Sequence, residues 1–218
     1  MINAPATRSV PWRLMLVTDR HVARRDFLEI IEQVCAAGVG AIQLREKDLS
    51  DKEYFFLANR VQRITRQHGV PLIVNHRVGT ALALETEGIH LGGRSLPHDV
   101  VRRLLGEDTL IGATAHTLEE ARVSGEMGAD YIVFGPVYDK PNKKGFVSTT
   151  GLEPIRDLKR VTSLPIFAFG GIMRSNLRET LAAGFDGAAT LTEVMTAENP
   201  GQVIAEMRAI VEEHVVHT

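Results

Sequence analysis

His116 stands between an apolar run, Leu110 to Ala113, and the helix start Thr117-Leu118-Glu119-Glu120. An imidazole so placed can take a proton from a bound molecule and return it, although the position serves equally well for capping the helix or holding a loop carbonyl. Other chemically able residues also follow short apolar runs: Thr18 and Asp19; Gln43, Arg45, Glu46 and Lys47; Asn75, His76 and Arg77; Thr114; and Thr190, Thr192 and Glu193. Arg45, Lys47 and Arg77, with Lys140, Lys143 and Lys144 of a later loop, form a local surplus of cations that suits an anionic ligand such as a phosphate ester. Gly170-Gly171 ends another run. Lacking Cβ atoms, such a pair lets backbone N–H groups close on a phosphate, and Thr192 beyond the next run would complete the cradle. His76 and His90 are secondary candidates, while His21, His68, His98, His214 and His217 read as surface residues. No His-Glu-x-x-His or paired-cysteine spacing occurs, so a zinc site is not expected.

These residues occupy one place in a repeating pattern. Short apolar runs rich in β-branched residues (Leu14–Val17, Ala41–Leu44, Leu72–Asn75, Gly88–Leu91, Leu110–Ala113, Tyr131–Phe134, Pro165–Phe169, Gly187–Leu191) alternate with amphipathic segments that end in Gly or Pro. Asp26 opens one such segment, Ser50 with Glu53 and Thr117 with Glu120 have capping-box spacing, Pro97 opens another, and the last runs from about Pro200 to His214. Eight βα units in 218 residues predict a compact (βα)8 barrel over 12–218, preceded by a loose tail over 1–11. An open doubly wound sheet is the other topology, but no Gly-x-Gly-x-x-Gly follows the first strand. In a barrel the residues just past each strand share one mouth, where the active site forms.

Composition narrows the function classes. A net charge of −2, with both signs scattered, gives no electrostatic footprint for nucleic acid. No apolar run reaches the ~20 residues that cross a bilayer, and no signal-peptide segment opens the chain, so a soluble cytoplasmic protein without a membrane partner is expected. The single cysteine, Cys35, sits among Val34, Ala36 and Ala37 and reads as core. A homo-oligomer is left open.

Gln43-Leu44-Arg45-Glu46-Lys47-Asp48, Asn75-x-Arg77, Gly88-Ile89-His90-Leu91-Gly92, Ala129-Asp130-Tyr131-Ile132 with Gly135-Pro136-Val137, and Phe169-Gly170-Gly171-Ile172 resemble the successive motifs of the thiamine phosphate synthase and TenI family, in order from about Leu14 to Glu193. The resemblance implies a (βα)8 barrel and one of two activities. Thiamine phosphate synthases join a pyrimidine diphosphate to a thiazole phosphate with Mg²⁺ on the diphosphate; TenI-type tautomerases shift a proton to aromatise a carboxylated thiazole phosphate. In the synthase pattern two aspartates approach the Mg²⁺, and here those positions are His76 and Ser95. The synthase's Thr-Pro-Thr-Lys loop reads Lys140-Pro141-Asn142-Lys143, where Lys140 would partly replace the metal's charge. Lys143-Lys144-Gly145 and the loop after His90 resemble the tautomerase branch, and His116 matches the histidine assigned there as acid-base catalyst.

The resemblance therefore implies a tautomerase without a cofactor. His116 would be catalytic; Gln43, Arg45, Lys47, Asn75, Thr114 and Lys143 would bind a phosphorylated thiazole, with Gly170, Gly171 and Thr192 on its phosphate. A Mg²⁺-dependent synthase is the alternative, and a non-catalytic thiazole phosphate-binding regulator is an alternative of another class.

Overall fold

The computed structural model describes residues 8–139 and 149–216. Eight strands, β1 (Leu14–Val17), β2 (Ala41–Leu44), β3 (Leu72–Asn75), β4 (Gly88–Leu91), β5 (Leu110–Ala115), β6 (Tyr131–Phe134), β7 (Ile166–Phe169) and β8 (Gly187–Thr190), run parallel in chain order, and β8 pairs back onto β1 to close a barrel. The expected (βα)8 architecture is the observed one. Around it lie α1 (Phe27–Ala36), α2 (Asp51–Gln67), α3 (Val78–Leu84), α4 (His98–Leu105), α5 (Leu118–Glu126), α6 (Ile155–Val161), α7 (Arg174–Ala182), a four-residue α8 (Thr192–Met195) and α9 (Pro200–Val216).

Local sequence explains the helix starts. Asp26 accepts from the Leu28 and Glu29 N–H groups at the start of α1, and Ser50 with Glu53 makes the reciprocal capping box of α2. Along α2 the buried Tyr54, Ala58, Val61 and Thr65 recur at helical spacing and form its inner face. Three strand ends differ from expectation: β5 runs two residues further, which puts Thr114 on a strand, while β7 begins and β8 ends one residue short of the expected runs.

The two faces of the strands feed two cores. Leu14, Leu16, Ile42, Leu44, Leu72 and Val74 face the helices, while Met15, Val17, Ala41, Ile73, Tyr131, Val133, Phe167 and Ala189 fill the barrel with Trp12 below them. Inward positions at Gly88, Gly112 and Gly187 leave room for bulk: a Cβ at Gly112 would lie 2.2 Å from the Tyr131 ring, and one at Gly187 would lie 2.6 Å from Phe167. Small opposite large fills the taper. The same two-residue alternation turns Gln43, Asn75, His90 and Thr114 inward, one layer above this apolar plug.

At the opposite end, buried Asp130 accepts from Arg102 at 2.6 Å, from the Ile111 N–H at 2.7 Å and from Arg8 at 3.1 Å. Of the stretch 1–11, expected as a tail, residues from Arg8 onward are described, and Val10 packs against Trp12's cluster. No helix of the described residues is long and apolar enough to cross a membrane.

Candidate active site

The strand ends open into a cavity of about 800 Å³. Val17, Val133 and Phe169 form its apolar floor, and Gln43, Asn75, His90 and Thr114 supply polar atoms from four successive strands. Asn75 Nδ2 donates to Gln43 Oε1 at 3.3 Å, and Gln43 Nε2 rests on Met15 Sδ at 3.7 Å. Tyr54 anchors this wall from below, since its hydroxyl donates to the Leu44 carbonyl at 2.5 Å and accepts from the Asn75 N–H at 3.2 Å.

Arg45 and Lys47 leave β2 over a buried acid. Glu46 is 2% exposed; it accepts from Thr18 Oγ1 at 2.7 Å, from the Arg20 N–H at 3.1 Å and from the Arg20 guanidinium at 3.1 Å. Thr18 Oγ1 also accepts from the Arg45 N–H at 3.0 Å. The β1 and β2 loops are thereby tied together, which sends the flanking Arg45 and Lys47 to the cavity wall. Glu46 had no functional reading in the sequence. Its signal was an acid between two basic residues, at the position where the strand's inward-outward alternation ends.

His116 lines the cavity from beyond β5. Its backbone N–H donates to Glu120 at 2.6 Å, and its Nδ1 bonds the Gly135 carbonyl oxygen. A carbonyl can only accept, so Nδ1 carries a hydrogen, and in the neutral tautomer this fixes, the lone pair is on Nε2. Two further imidazoles line the wall. His76 sits in left-handed backbone (φ 51°), and desolvation, then Arg77, hold its pKa below the ordinary value. His90 Nε2 shares a 2.9 Å hydrogen bond with Thr114 Oγ1, and its Nδ1 finds no partner among the described residues.

Burial pushes His90 down to about 3, with smaller contributions from His98 and Arg45. The unfolded imidazole titrates near 6.5, so between the two values the unfolded chain binds one proton more and stability falls as pH falls. The slope from this one group is about 1.4 kcal/mol per pH unit. Urea unfolding at pH 7 and pH 5 is therefore expected to show a loss of stability that His90→Gln reduces; an equal loss in both proteins removes His90 as its source.

Not every expected residue joins the cavity. Gln43, Arg45, Lys47, Asn75, Thr114, His116 and Gly170 line it, as do His76 and Ser95, whereas Gly171 and Thr192 do not. Lys140, Lys143 and Lys144 lie outside the described residues. Arg77, read as a mouth cation, instead pairs with Asp51, donates to the Leu49 carbonyl and stacks 4.7 Å over the Tyr54 ring. Gly170 and Gly171 both take positive φ (94° and 68°), and a Cβ on them would lie 2.6 Å from Pro136 and 2.7 Å from Tyr138. Their lack of side chains thus admits the loop after β6 as well as any ligand.

The positions that resemble metal-binding aspartates do not suit Mg²⁺. Ser95 Oγ accepts from the Gly92 N–H at 3.0 Å, closing its own loop, and His76 offers nitrogen where this cation wants carboxylate oxygen. Asp139 is the one acid among the described residues of the wall, and no cluster of three potential metal-binding side chains occurs among them.

Comparison with known proteins places this barrel. The pattern of the family described as thiamine monophosphate synthase matches residues 14–194. A thiamine-phosphate synthase of Desulfitobacterium hafniense is 38% identical over 193 residues, covering 88% of this chain and 93% of its own. A putative thiamine-phosphate synthase of Geobacter sulfurreducens is 40% identical over 192 residues, covering 88% and 90%. The solved thiamine phosphate pyrophosphorylase of Pyrococcus furiosus superposes with a TM-score of 0.84 at 32% identity, covering 94% of this chain and 98% of its own.

Proposed function

The chain belongs to the thiamine monophosphate synthase family, and on that premise we propose that it is a thiazole tautomerase, moving a proton on a carboxylated thiazole phosphate without a metal ion. One observation carries this reading: the wall that would hold Mg²⁺ bears His76 and Ser95 among cations, which receives an anion and repels a divalent cation. The thiazole phosphate would lie with its phosphate toward Gly170, the member of the expected Gly170, Gly171 and Thr192 cradle that lines the cavity, and its carboxylate toward Arg45 and Lys47. Gln43, Asn75 and Thr114 orient the ring. His116 Nε2 takes the proton from the ring and, as imidazolium, returns it at the exocyclic position; the hydrogen bond from Nδ1 to Gly135 holds the imidazole in place through both transfers.

Incubating the protein with the carboxylated, non-aromatic thiazole phosphate in D2O, in the presence of EDTA, is expected to give the aromatic product, with deuterium at the exocyclic carbon in proportion to the exchange of the imidazolium proton with solvent between the two transfers. Aromatisation no faster than in buffer overturns the reading. The names of the relatives favour a second reading, the coupling of thiazole phosphate to a pyrimidine diphosphate. Thiamine phosphate formed from those two precursors with Mg²⁺, and abolished by EDTA, would establish coupling; binding of thiazole phosphate with neither reaction would leave a regulator.

A further inference from the structure

Arg94 has no part in the reading above, yet it lines the same cavity as Arg45 and Lys47. It comes from the β4–α4 loop and they come from the β2–α2 loop, so two separate segments bring positive charge to one wall. The charges meet there: Arg45 and Arg94 both act on Lys47, behind the larger effect of its burial, while Lys47 acts on His76 and Arg45 on His90.

Most other arginines close to this mouth are matched with acids. Arg20 pairs with Glu46 and Asp48, Arg77 with Asp51, and Arg174 with Glu193 and Glu206. Among the described residues no carboxylate pairs with Arg45, Lys47 or Arg94, and nothing else takes their side-chain hydrogens. Converging cations without a counter-ion repel one another until an anion arrives. Two guanidinium forks match a planar carboxylate or a phosphate edge, and the ammonium adds a point charge between them.

We propose that Arg94 joins Arg45 and Lys47 in a metal-free subsite for the second anionic group of a ligand whose first phosphate lies at the Gly170 end. This rests on the thiazole phosphate reading and narrows it to ligands with anions at both ends. Arg94 precedes Ser95, the position that resembles a metal-binding aspartate. A guanidinium there supplies the positive charge that a divalent cation would otherwise bring, and keeps that cation out.

Titration calorimetry with inorganic pyrophosphate tests the subsite without any turnover. Binding is expected in EDTA, no tighter with Mg²⁺, and about tenfold weaker in Arg94→Gln and in Arg45→Gln, with a shallower dependence on salt in both variants. Arg94 is exposed and unpaired among the described residues, so its variant is expected to unfold at the parent's urea midpoint. Pyrophosphate binding that requires Mg²⁺, or that is unchanged in Arg94→Gln, overturns the subsite. The two proposals fail separately: Arg94-dependent binding without aromatisation removes the reaction and keeps the subsite, whereas aromatisation with Arg94-independent binding does the reverse.

Discussion

Replacing His116 with Gln is expected to slow aromatisation of the carboxylated thiazole phosphate by ~10²–10⁴-fold, the range that one positioned acid-base group supplies. Gln approximates the reach of the imidazole and can still donate to the Gly135 carbonyl, so the loop between β5 and α5 keeps its shape. What it cannot do is hold a proton between two steps. The loss should therefore fall on kcat, with KM changed only a few-fold, because the cation wall that holds the substrate is untouched. His116→Ala opens the same position, and added imidazole should restore part of its rate. Steady-state kinetics on both variants check this; a rate undiminished in His116→Gln would remove His116 from the reaction.

The second large effect is expected at Gly135. A Cβ there would lie 2.0 Å from the carbonyl oxygen of Phe169, an atom that also accepts the Val137 N–H at 2.9 Å. Backbone cannot rotate out of the way as a side chain can, so the ends of β6 and β7 must separate. Gly135→Ala should lose about 3 kcal/mol of stability from overpacking. Its activity should fall too, since the carbonyl that orients His116 belongs to the residue displaced. Gly128→Ala is the control: φ is 90° but nothing lies within 4 Å of the added carbon, so it should cost only about 1 kcal/mol of backbone strain. Equal urea midpoints for the two variants would show that the contact at Phe169 is harmless.

The barrel was legible because each strand is a short buried run and each helix has an amphipathic face; these are local patterns repeated eight times. Apart from β5, β7 and β8, whose ends differ, every strand has its expected bounds. The mouth was legible in part for the same reason, since Gln43, Asn75 and Thr114 occupy inward positions of an alternating strand. What did not show was side-chain direction beyond the strand ends. Arg77 closely follows its strand as Arg45 follows its own, but Asp51 and the Tyr54 ring, both on α2, draw it from the cavity. Arg94 follows no apolar run directly, so no strand end marks it in the sequence, although its charge beside Ser95 is plain there. The buried Glu46 and the neutral His90 owe their states to residues far along the chain, which no local pattern encodes.

The pairing of Leu14 with Ala188 and of Leu16 with Thr190 has a consequence for how the molecule is made. As the chain leaves the ribosome, each of β2 to β7 can join the neighbour completed just before it, but the outer edge of β1 has no partner until the last strand emerges. Until then Leu14-Met15-Leu16-Val17 is an apolar ladder edge that another copy could join. The cation wall, built from β2 to β4 and their loops, is synthesised well before that edge is covered. A translation product halted before Gly187 would hold nearly all the groups for recognising an anion, yet remain an open sheet whose first strand invites aggregation.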